Sequence, residues 1–467
     1  MKKLTLIKKL IVTFGILLLF LFSNLSEDVI LVHAMTKNDQ SSLMSDKVRA
    51  SRAIEHTRFL SEKIGPRPSG TKEEHKAATY IGDTLKKLGY EVEYQAFPVP
   101  DQYIGSISFS VYGEKEWQVG AASNASIPKD PVVGPVVSIG KENDIKNSPE
   151  PIHGKIVLLE QADTYEKYNE QVEYAVEKGA KAVLLYSTIG DRGNYGEAFN
   201  PVLKKKQSIP VFGLAYNQGI RMKDKIVHNK NIVSLKAKHE MNLSSLNVIA
   251  KKKPKYKTDN EDVAIMSAHY DSVIGAPGAN DNASGVGLLL ELAYNFKDIE
   301  INKEIQFIAF GAEENESLGA YHYVNQLSTT DKKHILGVFN ADMIATSYQQ
   351  AKDLYAMTLD GSQNEVTNTA VATSKALGKS VVLTGKFDSS DHVPFYEAGI
   401  SSALFIWMDV ESWNPLIYHV EKVFHTPQDT VLENISPQRM QEALEIIGTS
   451  LYYFITRVFF SGGGGSG

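Results

Sequence analysis

Two histidines and three carboxylates at the ends of apolar runs carry the chemistry of this chain: His269 in SAHYDS, Asp281 in ANDNASG, Glu314 in GAEEN, Asp342 in NADMI and His425 in FHTPQD. Imidazole mixed with carboxylate, and a spare acid, Glu313, beside one of them, suits two divalent ions that share one bridging carboxylate. Hard oxygens with imidazole favour zinc, with manganese or cobalt as alternatives, and disfavour copper(I). Two such ions about 3.5 to 4 Å apart can hold one hydroxide and polarise a carbonyl together. The pattern reads as a metallohydrolase.

Each of these residues also has an ordinary reading. Asp281 precedes GVGLLLELAYNF and could cap a helix. Glu313 and Glu314 could complement the dipole of the helix that follows them. His269, Asp342 and His425 could be hydrogen-bonded residues at strand ends. The combination favours the metal reading, because DVAIMSA, EIQFIAF and HILGVFN each end in a candidate or a few residues before one. Parallel sheets collect ligands beyond that carboxyl edge. Asp271, two residues after His269, fits the carboxylate that orients a metal-bound imidazole, with a turn aspartate as the simpler alternative.

The elements around the candidates fall into two patterns. From Lys47 to about Phe97 the spacing predicts a helix over 48–64, a rigid GPRPSGT turn, an amphipathic helix ending at Gly89, and an EVEYQAF strand. Arg67 in that turn lacks the glycine spacing of a nucleotide motif and reads as structural. From about Leu243 to Phe460 strands and helices alternate, which predicts a mostly parallel α/β sheet flanked by helices. Between about Pro98 and Met241 the text changes to short apolar strands, GPVVSIG, GKIVLLEQ, KAVLLYS and IPVFGLA, with one helix, TYEKYNEQVEYAVEKGA. That segment holds no carboxylate and histidine cluster, so it reads as an inserted lid or binding module.

SAHYDSV, GANDNASG, GAEE, NADM, SSDHVPF and FHTPQD together resemble the secreted double-zinc aminopeptidases that carry an inserted protease-associated domain. The resemblance covers nearly all of the chain beyond residue 34, and GKIVLL, KGAKAV and IPVFGL resemble the inserted domain itself. It implies a metallopeptidase domain at 47–97 and 243–460 with a zinc-exopeptidase-like sheet, and a protease-associated domain at 98–241. It further implies two zinc ions, with Asp281 bridging, His269 and Asp342 completing one site, Glu314 and His425 the other, and Glu313 as general base. Many relatives place a Tyr before the last His to donate a phenol to the oxyanion, whereas this chain has Phe424. His392 in SSDHVPF and Trp413 in the MDVESWNPLIYHVEKVF loop, with Phe424, are the candidates for the substrate pocket, each with ordinary packing as the alternative.

Composition limits the partners and the compartment. The formal net charge is −6 over 467 residues, which argues against a nucleic-acid partner. MKKLTLIKK followed by 13 apolar residues, then VHA, reads as an export signal cleaved after Ala34, the apolar run being short of the roughly 20 residues a span needs. An uncleaved membrane anchor is the alternative. Cleavage removes four lysines and two acids and leaves a charge of about −8. Cysteine is absent, which excludes disulfides, thiolate zinc, a cysteine nucleophile and a lipobox anchor. SGGGGSG at 461–467 reads as an appended flexible linker.

An extracellular enzyme acting on the N-termini of peptides is the leading functional reading. A carboxypeptidase or dipeptidase on the same metal pair is the alternative. The former would need a cationic clamp for a carboxylate, and no arginine lies between Arg221 and Arg439, although a lysine clamp stays open. A binding protein on a dead peptidase scaffold and a single-zinc acyl-transfer cyclase are the remaining readings. Oligomeric state and side-chain preference are not legible.

Overall fold

The computed structural model describes residues 41–110, 115–139, 151–190, 194–228, 230–254, 261–410, 418–419 and 421–456. The expected export signal, the linker and Trp413 lie outside the described residues. In chain order the strands are β1 (Glu91–Pro98), β2 (Gln102–Phe109), β3 (Trp117–Ala121), β4 (Val132–Ser138), β5 (Ile156–Glu160), β6 (Ala182–Tyr186), β7 (Val211–Leu214) and β8 (Ile232–Glu240). They continue as β9 (Ser244–Lys252), β10 (Val263–His269), β11 (Glu304–Phe310), β12 (Ile335–Ala341), β13 (Asp353–Thr358), β14 (Leu383–Lys386), β15 (Ser402–Val410) and the two-residue β16 (Tyr418–His419).

The main sheet runs β1-β9-β11-β10-β12-β15-β13-β14, with β16 pairing on β15. Its four central strands, β11, β10, β12 and β15, are mutually parallel. They are nearly continuous apolar runs because helices cover both faces. The outer part departs from the expected parallel pattern, since β9 runs antiparallel to β1 and β11, and β13 runs antiparallel to β15. The result is a mixed α/β sheet with a parallel centre.

One face packs under the helices Ala50–Arg58, Lys72–Lys87, Gly285–Phe296 and Pro437–Thr456 around Phe296, Phe307, Phe339 and Phe454. The helix Gly285–Phe296 is buried along almost its whole length. A Cβ on Gly287 would lie 2.5 Å from the Ala53 carbonyl, so this glycine permits the close helix crossing. Phe310, Tyr323, Val338 and Phe395 form the core of the other face. The Lys72–Lys87 helix starts at Thr71, whose hydroxyl accepts from the Glu74 N–H at 3.3 Å, and gives way to Gly89 at φ +90°.

Strands β2-β3-β7-β6-β5-β4-β8 close into a separate barrel, with the helix Tyr165–Glu177 packed outside it. The barrel interrupts the main domain between β1 and β9. Those two strands pair with each other, down to Pro98 opposite Ser244, and the Val99 N–H donates to the Leu243 carbonyl at 3.1 Å. The insertion therefore costs the host sheet no hydrogen bonds at its point of entry.

Candidate metal centre

The carboxyl ends of β10, β11 and β12 deliver their following residues to one side of the sheet. His269 is the last residue of β10, Glu313 and Glu314 lie just beyond β11, and Asp342 follows β12 directly. Asp281 reaches them from a turn, Ala279–Ser284, before the Gly285–Phe296 helix. It does not cap that helix, whose preceding residue is Ser284. The turn is held by Asp429, whose carboxylate accepts from the Asn280 N–H at 2.9 Å and the Asp281 N–H at 3.0 Å. Asp429 in turn accepts from the Asn434 amide at 2.7 Å.

The two oxygens of Asp281 face different imidazoles. Oδ1 is 3.3 Å from His269 Nε2, and Oδ2 is 3.1 Å from His425 Nε2. His269 Nε2 is also 3.4 Å from Asp342 Oδ1, while His425 Nε2 is 3.2 Å from Glu314 Oε2. His269, Asp281 and Glu314 present ligand atoms all within 4.8 Å of one another. Glu313 Oε2 lies farther out, 3.7 Å from His269 Nε2.

Donor chemistry and satisfaction both fit a divalent metal. Among the described residues His269 Nε2, Glu314 Oε1 and Asp342 Oδ1 are buried without a hydrogen-bond partner, a costly state that a shared cation relieves. Nitrogen and carboxylate oxygen are the donors that zinc takes.

Asp271 supports the centre from beneath. Its two oxygens accept from the backbone N–H groups of Glu313 at 3.0 Å and Glu314 at 3.2 Å, and Oδ1 lies 3.4 Å from His269 Nδ1. Arg67 is fully buried and serves the scaffold: its guanidinium donates to the carbonyls of Tyr270, Pro277 and Gly278. Burial pushes that guanidinium down to about 10, against the nearby Asp271, Asp429, Asp281 and Glu314.

Electrostatics follow from the crowding of acids. Burial pushes Glu313 well above the usual carboxylate range and Glu314 up to about 7, with His269 and His425 respectively opposing the rise. Burial alone would lower both imidazoles. Glu313 and Asp342 around His269, and Glu314 and Asp281 around His425, outweigh it and hold both well above their ordinary value. Asp281 is driven down by its two imidazole partners despite its own burial.

Backbone strain gathers at the same place. Seven non-glycine residues with positive φ are found among the described residues. Ala312, Glu316, Ser317, Met343 and His425 lie in or within three residues of this cluster, and Ser390 donates its hydroxyl to Asp342 at 2.9 Å, Asn242 being the exception. Such conformations cost on the order of 1 kcal/mol or more each and persist where surrounding contacts fix them.

Three residues depart from the expectations for SSDHVPF and the inserted domain. His392 is fully buried and bonded through Nε2 to the Phe387 carbonyl at 3.1 Å, so it is a packed core residue and not a wall of the substrate pocket. Burial pushes it down to about 4. Its neighbour Asp391 is fully buried and within electrostatic reach of His269, Asp271, Asp342 and Glu314, with neither oxygen hydrogen-bonded among the described residues. The acid beside a histidine at the start of a short helix was its only signal in the sequence. From the barrel, Glu197 Oε2 reaches His425 Nδ1 at 2.7 Å, a contact with no local pattern to announce it.

Phe424 stacks on the His425 ring with centroids 3.7 Å apart and packs against the cluster containing Met343, Tyr355 and Met408. A cleft of about 280 Å³ opens between the two domains, lined among others by Ser69, Gln102, Glu197, Ile274 and Glu314. A larger cleft of about 900 Å³ lies at the opposite end of the strands, by Val263, Glu304 and Ile335, remote from this chemistry.

An α/β sheet with acids and imidazoles converging at its carboxyl edge, and a barrel folded over them, defines a metallopeptidase of exopeptidase architecture. The family model for peptidase family M28 matches residues 247–451, and the PA domain model matches 131–222. The Bacillus subtilis aminopeptidase YwaD is 37% identical over 408 residues, 86% of this chain and 84% of that protein. The solved structure of BSAP, a zinc aminopeptidase from Bacillus subtilis, superposes with a TM-score of 0.62 at 35% identity, covering 88% of this chain and 96% of that one. An aminopeptidase from Aneurinibacillus sp. strain AM-1 gives 0.55 at 30% identity, covering 90% and 97%. The chain belongs to peptidase family M28 and carries an inserted PA domain.

Proposed function

We propose that this protein is an extracellular di-zinc aminopeptidase that removes N-terminal residues from peptides. The enzyme is a zinc metalloaminopeptidase, a hydrolase of peptide bonds. The observation that carries the di-zinc reading is the division of Asp281 between two imidazoles, Oδ1 toward His269 and Oδ2 toward His425. His269 and Asp342 would hold one ion with Asp281, and Glu314 and His425 would hold the other. Bound there, zinc supplies a water of lowered pKa and a Lewis acid for the scissile carbonyl.

The chain's own residues do the rest. Glu313 accepts a proton from the attacking water and returns it to the departing amine. Its backbone is pinned by Asp271, so the side chain pivots from a fixed point. Phe424 has no hydroxyl to give an oxyanion, and its ring braces His425 instead.

Charge and space favour a free N-terminus. Six carboxylates, Asp271, Asp281, Glu313, Glu314, Asp342 and Asp391, surround the site against one buried guanidinium, an environment that attracts an ammonium and repels a carboxylate. Arg67 and Arg439 spend their donors on backbone carbonyls, which leaves neither as a clamp for a C-terminus. The cleft of about 280 Å³ beside Glu314 has room for a small chain end. The N-terminal sequence, read as an export signal, supports the extracellular assignment.

One peptide offered unmodified, N-acetylated and C-amidated tests this reading. The unmodified and amidated forms should be cleaved alike and the acetylated form spared. Equal cleavage of the acetylated peptide, or loss of cleavage on amidation, overturns it.

A further inference from the structure

We infer that the inserted domain completes one metal site: Glu197 is the positioning residue that fixes His425, across the domain boundary. The inference rests on the di-zinc reading above. His425 directs Nε2 toward Asp281 and Glu314, so ligation there requires the lone pair on Nε2 and the proton on Nδ1. Glu197 Oε2, 2.7 Å from Nδ1, accepts that proton's hydrogen bond and holds both tautomer and ring plane. The other metal-facing imidazole, His269, has its partner Asp271 only two residues away in its own domain. His425 takes its partner from a segment 228 residues distant.

The segment bearing Glu197 is anchored where this role needs it. Two residues before it, the Tyr195 N–H donates to the Lys422 carbonyl at 2.8 Å, tying the barrel to the loop that carries His425. On its other side Ala198 packs with Ala215 and with Ile274 of the peptidase domain. The Gln118 side chain of β3 accepts from the Gly275 N–H at 2.9 Å, and a Cβ on Gly275 would fall 2.9 Å from the Gln118 carbonyl. The domains thus meet closely on both sides of the Glu197 contact. Lifting the barrel away takes the acceptor from His425.

The test compares wild type, Glu197→Ala and Glu197→Gln in the full chain. Each is loaded with zinc, and bound zinc is titrated against a chromogenic chelator while kcat and KM are measured on a small aminoacyl anilide. A half-exposed glutamate tolerates both changes, and thermal unfolding checks the fold. Glu197→Ala should bind one of its two ions about 10- to 100-fold more weakly, with kcat falling and KM nearly unchanged at saturating zinc. Glu197→Gln keeps an acceptor for Nδ1–H and should recover most of the affinity. Wild-type zinc affinity in Glu197→Ala overturns the inference, whether or not KM rises, and a raised KM alone would assign Glu197 to substrate binding. Failure of the wild type to bind two ions is a different result, which removes the di-zinc reading itself.

Discussion

Exchanging each of the adjacent acids Glu313 and Glu314 for glutamine separates proton transfer from metal holding at one turn of chain. Both backbone N–H groups donate to Asp271, so neither substitution should move the main chain. Glu314 is embedded: one oxygen stands 3.2 Å from His425 Nε2 and the other is buried without a partner among the described residues. Glu313 is looser, its nearest imidazole atom at 3.7 Å and Ser317 Oγ at 3.5 Å. Glutamine at 313 keeps shape but cannot accept a proton, so kcat should fall about 10² to 10⁴-fold, or about 2.7 to 5.4 kcal/mol of barrier at 1.36 kcal/mol per decade. Zinc content and melting temperature should stay at wild-type values. Glutamine at 314 removes a charged ligand and should lower zinc occupancy at one site. Steady-state kinetics with metal analysis on the same samples decides the matter. Zinc loss in Glu313→Gln together with a fully loaded but inactive Glu314→Gln would reverse the two roles, and full activity in both would refute the mechanism.

Metal analysis of active enzyme should return about two zinc ions per chain with chelator-sensitive activity, and a single tightly held ion would remove the bridging role from Asp281. Arg67→Met should cost about 3 to 5 kcal/mol in denaturant unfolding, since it strips buried carbonyls of their donor and buried acids of their cation; a loss under 1 kcal/mol would contradict that account. Glu421 is pushed up to about 8 by burial and by Asp429, so the folded chain keeps a proton there that the unfolded chain releases. Its contribution to stability is full below the ordinary glutamate range and is lost as pH rises through about 8; the melting temperature of Glu421→Gln should fall less between pH 6 and pH 9 than that of the wild type, and parallel curves would count against it.

The part of the site that was legible is the part that strands end in. His269, Glu313, Glu314 and Asp342 lie at or just beyond the ends of apolar runs that alternate with helices, so their convergence was readable from hydrophobicity and order. Asp281 was readable as a turn residue before a helix, though its two-sided role lies in the direction of its oxygens. In SSDHVPF the residue types were visible but not their orientation: the short helix turns His392 into the core and leaves Asp391 within electrostatic reach of the acids. Strand direction at the sheet margins was equally hidden, because β9 and β13 carry the same apolar signature whether they run with or against their neighbours. Glu197 had no signal at all, since its partner is brought to it only by the docking of two separately folded cores.

That division between legible and hidden follows the division of labour in the site. Three of the five proposed ligands, His269, Glu314 and Asp342, sit at strand ends, which supply rigid positions with an apolar pattern written beside them, whereas Asp281 and His425 come from a turn and a loop that other residues hold. Groups that refine those positions need only reach them, so they come from wherever the chain passes: Asp271 from two residues away, Asp429 from the loop after His425, Glu197 from another domain. Six carboxylates packed around two imidazoles and one buried guanidinium either keep protons, as the raised Glu313, Glu314 and Asp391 do, or are matched by positive charge from outside. On the di-zinc reading proposed above, two divalent ions would supply that charge and leave the site slightly negative, a condition that would draw in an ammonium terminus. On that reading the same acids that would bind the metals would also select the end of the peptide, and the barrel that narrows the cleft would hold the imidazole on which the second metal depends.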